Sequence, residues 1–195
     1  VIDKKNERTR GRPRCFDRAA AVSTALSLFR QKGYDGVGVA ELSKALGINP
    51  PSLYAAFGNK LGLFQEALRS YADTEGRFIT EAVNGADTLE EAVRNLLVEA
   101  ARSFSRCQNQ PGCLILDGTR NCTDVDARAT TDTMRKKTKI FLQESFAAYG
   151  VSDSDGIAEY VIIAMTGLSG AARQGVEREV LVEVARRFAA AVMLK

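Results

Sequence analysis

Few residues in this chain could do covalent or metal chemistry. There are four cysteines, Cys15, Cys107, Cys113 and Cys122, and no histidine. The cysteines form no Cys-x-x-Cys pair and have no histidine to complete a mixed zinc site, so no metal is expected. Lack of histidine also removes the commonest general base and every triad that depends on one. No phosphate loop or Gly-x-Gly-x-x-Gly turn is present either. An enzyme is therefore not expected, and no cofactor. Thiol chemistry is the remaining covalent option. Cys113 lies in Pro111-Gly112-Cys113-Leu114-Ile115, where a helix start would favour its thiolate, with Cys107 and Cys122 near it in sequence. The simpler reading, which we prefer, is small buried side chains in a reducing cytosol.

The better-supplied chemistry is recognition of a polyanion. Residues 1–60 hold 11 Lys and Arg against 5 Asp and Glu, whereas residues 61–195 hold 16 against 19. A basic end joined to a mildly acidic remainder points to nucleic acid at that end alone. The first residues carry Lys4, Lys5, Arg8, Arg10, Arg12 and Arg14 with little apolar matter, so a basic arm over 1–16 is expected. Arg10-Gly11-Arg12-Pro13 matches the core of an A·T-hook. Arginines inserted into a narrow A·T minor groove meet enhanced negative potential. A tail that only adds nonspecific phosphate attraction is the alternative.

The elements that must position such residues read as helices throughout, with no strand pattern. Asp17 can cap a first helix whose inner stripe is Val22, Ala25, Leu26 and Phe29, ending at Gly33. A short helix from about Val39 to Leu46 follows, with Leu42, Ala45 and Leu46 inward, stopped by Gly47. Asn49 then suits an N-cap and Pro50 the first helical position, where a missing N–H costs nothing. Two short helices around a glycine-containing turn make a helix-turn-helix. Gly58-Asn59 opens a further helix expected to run to about Val83. Asp87 with Glu90 reads as a capping box for the next. A short helix is expected from Cys113 to about Arg120, then a long one from Thr123 to Tyr149. Two strongly apolar segments near 153–173 and 176–194 complete the chain.

The stretch from Lys32 to Lys60 resembles the DNA-binding domain of the TetR family. It has Gly33-Tyr34 after the first helix and Leu53, Tyr54, Phe57 and Lys60 in the spacing of that family's Leu-Tyr-x-x-Phe-x-x-Lys ending. The match covers about residues 17–64; beyond it, only length and helical layout agree. One departure is Gly38, where the family often has a Thr or Ser that caps the second helix and touches phosphate.

The resemblance implies an all-α protein: the arm over 1–16, a three-helix DNA-binding domain over 17–62, and a helical ligand-binding and dimerisation domain over 63–195. It implies a repressor that binds a palindromic double-stranded operator as a homodimer and is released by a small-molecule inducer. The second helix of the unit enters the major groove with its N-terminal residues toward base edges. These are Asn49, Pro50, Pro51 and Ser52, of which Asn49 and Ser52 can hydrogen-bond and the prolines can only touch a thymine methyl. Tyr54 and Lys60 are expected on phosphates, together with Arg10, Arg12 and Arg14 from the arm. Leu97, Phe104, Cys113, Leu114, Phe141 and Ile163 are candidate linings of the ligand cavity, though each also reads as plain core.

The last two helices are apolar on most sides and cannot face water so. Val161, Gly167, Gly170, Leu181 and Phe188 are therefore expected at a subunit interface, the monomer's own core being the alternative. The Gly112-Cys113-Leu114 step resembles a branch of the family containing regulators of drug, quinone or aldehyde stress. That keeps a thiol switch at Cys113 as the second reading. An architectural A·T-rich DNA protein is a third, but it would not need so large an apolar helical domain. No apolar run is long enough for a bilayer and no secretory signal is visible, so a cytoplasmic protein without membrane contact is expected.

Overall fold

A computed structural model of the chain describes residues 16–192. Among these residues there are ten helices and no strand. No helix among the described residues is long and apolar enough to cross a membrane.

The first three helices form a compact head. α1 (Arg18–Lys32) is capped by Asp17, whose carboxylate accepts from Ala20 N–H at 3.0 Å. It turns Ala21, Val22, Ala25 and Phe29 inward. α2 (Val39–Leu46) ends at Gly47, whose left-handed φ of 66° lets Ile48 N–H close back on the Ser43 carbonyl, a conformation that favours glycine. α3 (Pro50–Phe57) begins at Asn49, whose side-chain oxygen accepts from Ser52 N–H at 2.9 Å. Leu42, Leu53, Leu63, Phe64 and Phe29 are fully buried between these helices and α4 (Lys60–Thr74). Ala45, expected inward, is exposed, and Ile48 is half-buried.

α4 stops well before Val83. The N–H groups of Glu75 and Gly76 both turn back to the Tyr71 carbonyl, at 2.9 and 3.1 Å, and glycine is a poor residue with which to continue a helix. α5 (Phe78–Asn84) then restarts and packs on α6 (Leu89–Phe104), with Phe78 edge-on to Phe104. The capping box lies one residue later than expected. Thr88 Oγ1 accepts from Glu91 N–H, and the Glu91 carboxylate accepts from Asp87 N–H, because only a Thr88 cap brings a side-chain acceptor onto the third helical N–H.

α6 is the axis of the larger domain and packs against α5, α9 (Ser154–Arg173) and α10 (Arg178–Val192). α7 is a single turn (Leu114–Asp117), followed by α8 (Val125–Ala147), which lies along α9. α9 divides by face. Ala158, Val161, Ala164, Met165, Leu168 and Ala172 point into the monomer, whereas Ile163 is 62% exposed and Gly167 is also exposed. Val161 and Leu181 are thus corrected from interface to monomer core: both are buried within one chain. Phe188 is half-buried under Tyr160, whose hydroxyl donates to the Phe188 carbonyl at 2.9 Å. Gly170 is half-buried. Of the expected interface residues, only Ile163's neighbour Gly167 stands clear on the outer face.

Candidate nucleic-acid interface and adjoining cavity

The N-terminal part of α3 is exposed, as reading a groove requires. Asn49, Pro50, Pro51, Ser52 and Ala55 lie on the surface, and Tyr54 is 48% exposed. The backbone there is chemically quiet. Pro50 and Pro51 have no N–H, and Ser52 N–H is taken by the Asn49 cap. The start of α3 therefore offers no backbone donor to a phosphate, and its polar readers are the Asn49 amide N–H₂ and the Ser52 hydroxyl. The start of α2 is the opposite case. Gly38 makes no side-chain cap, so the first N–H groups of α2 are open, the arrangement that binds phosphate at a helix N-terminus.

Lys60 is partly committed inside the protein. Its Nζ donates to the Tyr34 carbonyl at 3.1 Å and lies 3.9 Å from the centre of the Tyr34 ring. Arg18, unremarked in the sequence, ties the head together: it pairs with Glu66, donates to the Ala56 carbonyl and lies over the Phe57 ring. Arg10, Arg12, Arg14 and Cys15 lie outside the described residues.

The head meets the larger domain along the segment between α7 and α8. Tyr34 N–H donates to the Gly118 carbonyl at 2.9 Å, and the Tyr34 hydroxyl donates to Asp124 Oδ2 at 3.1 Å. Asp35 accepts from Thr123 N–H at 2.7 Å, from the Thr123 hydroxyl and from the Cys122 thiol, both at 3.1 Å. The Thr123 N–H, foremost, holds the Asp35 carboxyl below the usual carboxylate range. Asp124 is lowered too, chiefly by Ala127 N–H. A second strap runs through the domain's interior. Arg173 on α9 donates to the Arg30 carbonyl at the end of α1 and to Asp117, while Arg30 grips Glu75 and the Gln110 carbonyl. Gly112 is required beside it: φ is +81°, and a Cβ there would stand 2.8 Å from Arg173 Nε.

A cavity of about 640 Å³ opens between α4, α5, α7 and α8. Its apolar wall is Ile79, Ile115, Met134 and Phe141; its polar residues include Gln65, Arg69, Thr130, Thr133, Lys137 and Thr138. Of the expected linings only Phe141 is among these. Leu97, Phe104 and Leu114 are corrected to core, since side chains fully buried by their neighbours leave no wall to a ligand. Ile163 faces outward from α9. Cys113 is buried, its N–H donating to Ser169 Oγ at 2.7 Å. The helix it starts is only four residues long, and burial pushes its thiol up, against the lowering that a helix start would give.

The family model for bacterial regulatory proteins of the tetR family matches residues 21–67. The HTH-type transcriptional repressor BdcR of Escherichia coli (strain K12) is 37% identical over 175 residues, 90% of this chain and 88% of BdcR. The chain belongs to the TetR family. It is also 30% identical over 192 residues to the E. coli repressor ComR, covering 92% of this chain and 90% of ComR. Among solved structures, a cysteine mutant of the TetR family regulator CifR, complexed with 26-bp operator DNA, superposes with a TM-score of 0.84 at 33% identity. It covers 92% of this chain and 99% of that one. This TetR-family chain is a DNA-binding transcriptional regulator of helix-turn-helix type.

Gly33-Tyr34 is legible in the sequence as part of the TetR pattern, but its structural work is not. Tyr34 and Asp35 fasten the head to the cavity-bearing domain, and their partners Gly118, Cys122, Thr123 and Asp124 are about 90 residues away. No local spacing could have announced them.

Proposed function

We propose that the chain represses transcription as a homodimer on a palindromic operator and is released when a small molecule enters the cavity between α4, α5, α7 and α8. One observation carries the reading. Asp124, which caps the helix forming one cavity wall, also holds the Tyr34 hydroxyl of the head. A ligand that favours one position of α8 over another thereby biases the head, and differential affinity for two conformations is all that release needs.

The reading α3 supports a major-groove approach by Asn49, Pro50, Pro51 and Ser52, with Tyr54 on phosphate. Lys60, bound to Tyr34, keeps N–H donors for a phosphate as well. Arg10, Arg12 and Arg14 are assigned to the minor groove beside the site. The outer face of α9, with Ile163 and Gly167, together with Ile140 of α8 at 52% exposure, supports association with a second copy. CifR, bound to operator DNA, and the repressors BdcR and ComR support the same function.

The test is a gel shift with palindromes from the neighbouring promoter, carried on A·T-rich and G·C-rich flanks. A two-fold-symmetric complex that small molecules dissociate is the expected result. Binding indifferent to sequence at fixed salt refutes a repressor and leaves an architectural protein.

A further inference from the structure

We infer that the cavity takes an amphipathic anion: one carboxylate, or a like acidic group, on an apolar body. This rests on the cavity being the inducer site and names the class of inducer. The apolar body has a wall to meet in Ile79, Ile115, Met134 and Phe141. The acidic group has Arg69 and Lys137. Among the described residues these are the only charged ones lining the cavity, both are cations, and both are exposed at its rim.

Three observations favour an anion over a neutral or cationic guest. First, neither Arg69 nor Lys137 has an ion-pair or hydrogen-bond partner among the described residues, whereas many surface cations of this domain do. Arg77 pairs with Glu81, Arg102 with Glu99, Arg135 with Asp132, and Lys139 with Asp155 and Glu159. Second, the nearby carboxylates are occupied or turned aside. Glu66 holds Arg18, Asp132 holds Arg135, and Asp73 lies with Arg69 on a separate, shallower groove toward α1. Third, the neutral polar wall offers few donors. The hydroxyls of Thr130, Thr133 and Thr138 donate to carbonyls of their own helix, and the Gln65 amide donates to Thr130. The donors left for a ligand are the second N–H of the Gln65 amide and the two cations, and only the cations carry charge. A carboxylate gains charge-assisted hydrogen bonds from them, an amine is repelled, and a neutral acceptor gains hydrogen bonds without the charge pairing. The excess is local: residues 61–195 carry more acid than base.

The probes are 2-naphthoate and decanoate, each against its neutral amide, titrated calorimetrically into the full chain with operator release scored in parallel. At least one acid is expected to bind at least about tenfold tighter than its amide, with an affinity that falls as salt rises because the cations are at the rim. Replacing both cations, Arg69→Gln with Lys137→Gln, is expected to erase that preference while thermal unfolding and operator affinity stay as in the wild type. Amides that bind as well as the acids overturn the assignment, as do acids whose affinity the double variant leaves unchanged, or four compounds that all fail to bind. Operator release separates the two levels. An acid that binds through these cations without releasing operator refutes the inducer site and keeps the anion site. An amide that binds equally and releases operator does the reverse.

Discussion

The Tyr34 hydroxyl donates to Asp124 Oδ2 at 3.1 Å, while Oδ1 of the same carboxylate caps α8 by accepting from Asp126 and Ala127 N–H at 3.0 Å. One side chain thus joins the head to the helix that contributes Thr130, Thr133, Met134, Lys137, Thr138 and Phe141 to the cavity. Tyr34 is itself packed against Phe29 and Phe64, with centroids 6.0 and 4.8 Å away, so it cannot follow α8 without disturbing the core of the head. Tyr34→Phe keeps that packing and removes the link. The expected loss is about 1 kcal/mol of stability, the usual net worth of one hydrogen bond, with operator affinity unchanged and release by an inducing compound weakened. Urea unfolding and operator titrations with and without the compound measure all three. Unaltered release would take the Tyr34 hydroxyl out of the route.

Acid should loosen the same seam. Asp35 and Asp124 both have carboxyls held below their ordinary range, by the Thr123 and Ala127 N–H groups first. A carboxylate lowered in the folded state contributes stability above its unfolded pKa, about 4, and loses it as pH falls through the lower folded value. Asp35→Asn removes one of the two titrating groups. Its stability is expected to be lower at neutral pH and to fall less steeply into acid than that of the wild type. Parallel curves below pH 5 would show that Asp35 does not report on the seam.

Legibility in the sequence followed range. The head was readable because its signals are local: Asp17 and Asn49 cap where their spacing says, and Gly47 closes α2. The break of α4 at Gly76 was missed because the apolar stripe resumes in α5 and conceals the interruption. Val161 and Ile163 show the limit of periodicity. A helix apolar on two faces does not say which one its own chain covers, and that was decided by α6, α8 and α10. Leu97, Phe104 and Leu114 were readable as apolar but not as core or cavity wall, since that depends on which neighbour leaves a gap. The Tyr34–Asp124 contact had no sequence signal at all.

Ile163→Glu and Val161→Glu should therefore fail differently. Ile163 is exposed on one chain, so a glutamate there costs the monomer little and opposes association by placing charge in an apolar contact. Monomers that stay helical are expected by ultracentrifugation and circular dichroism. Val161 is fully buried, and an unpaired buried carboxylate there should unfold or aggregate the chain. A folded Ile163→Glu protein that still sediments as a dimer would move the interface off this face of α9.

Tyr54→Phe should lower affinity for every operator variant by a similar factor, about three- to tenfold for one lost hydrogen bond. Tyr54 is exposed on α3, and phosphate contacts carry no base information. A competition series over single-base operator variants is the check. Altered preference at one position would make Tyr54 a reader of sequence.

Cys113 is the remaining decision between a noncovalent inducer and thiol chemistry, and its surroundings favour the former. The side chain is buried, and that burial raises its thiol despite donors from Tyr71 and from the backbone of Leu116 and Ile115. A thiol held neutral reacts slowly, since the thiolate is the nucleophile. Raised in the fold, the group keeps its stability contribution below the unfolded thiol pKa, about 8.5, and loses it as pH rises toward the folded value. Among the described cysteines the half-buried Cys107 is expected to be alkylated before Cys113 and Cys122 at neutral pH, and stability is expected to fall above about pH 8.5 more in the wild type than in Cys113→Ser. Cys113→Ser should bind operator as the wild type does and still respond to an inducing compound. The opposing outcome is specific. If peroxide or a quinone frees the wild type from operator and leaves Cys113→Ser bound, with their unliganded affinities equal, then the thiol is the switch, and local opening of the short α7 must expose it.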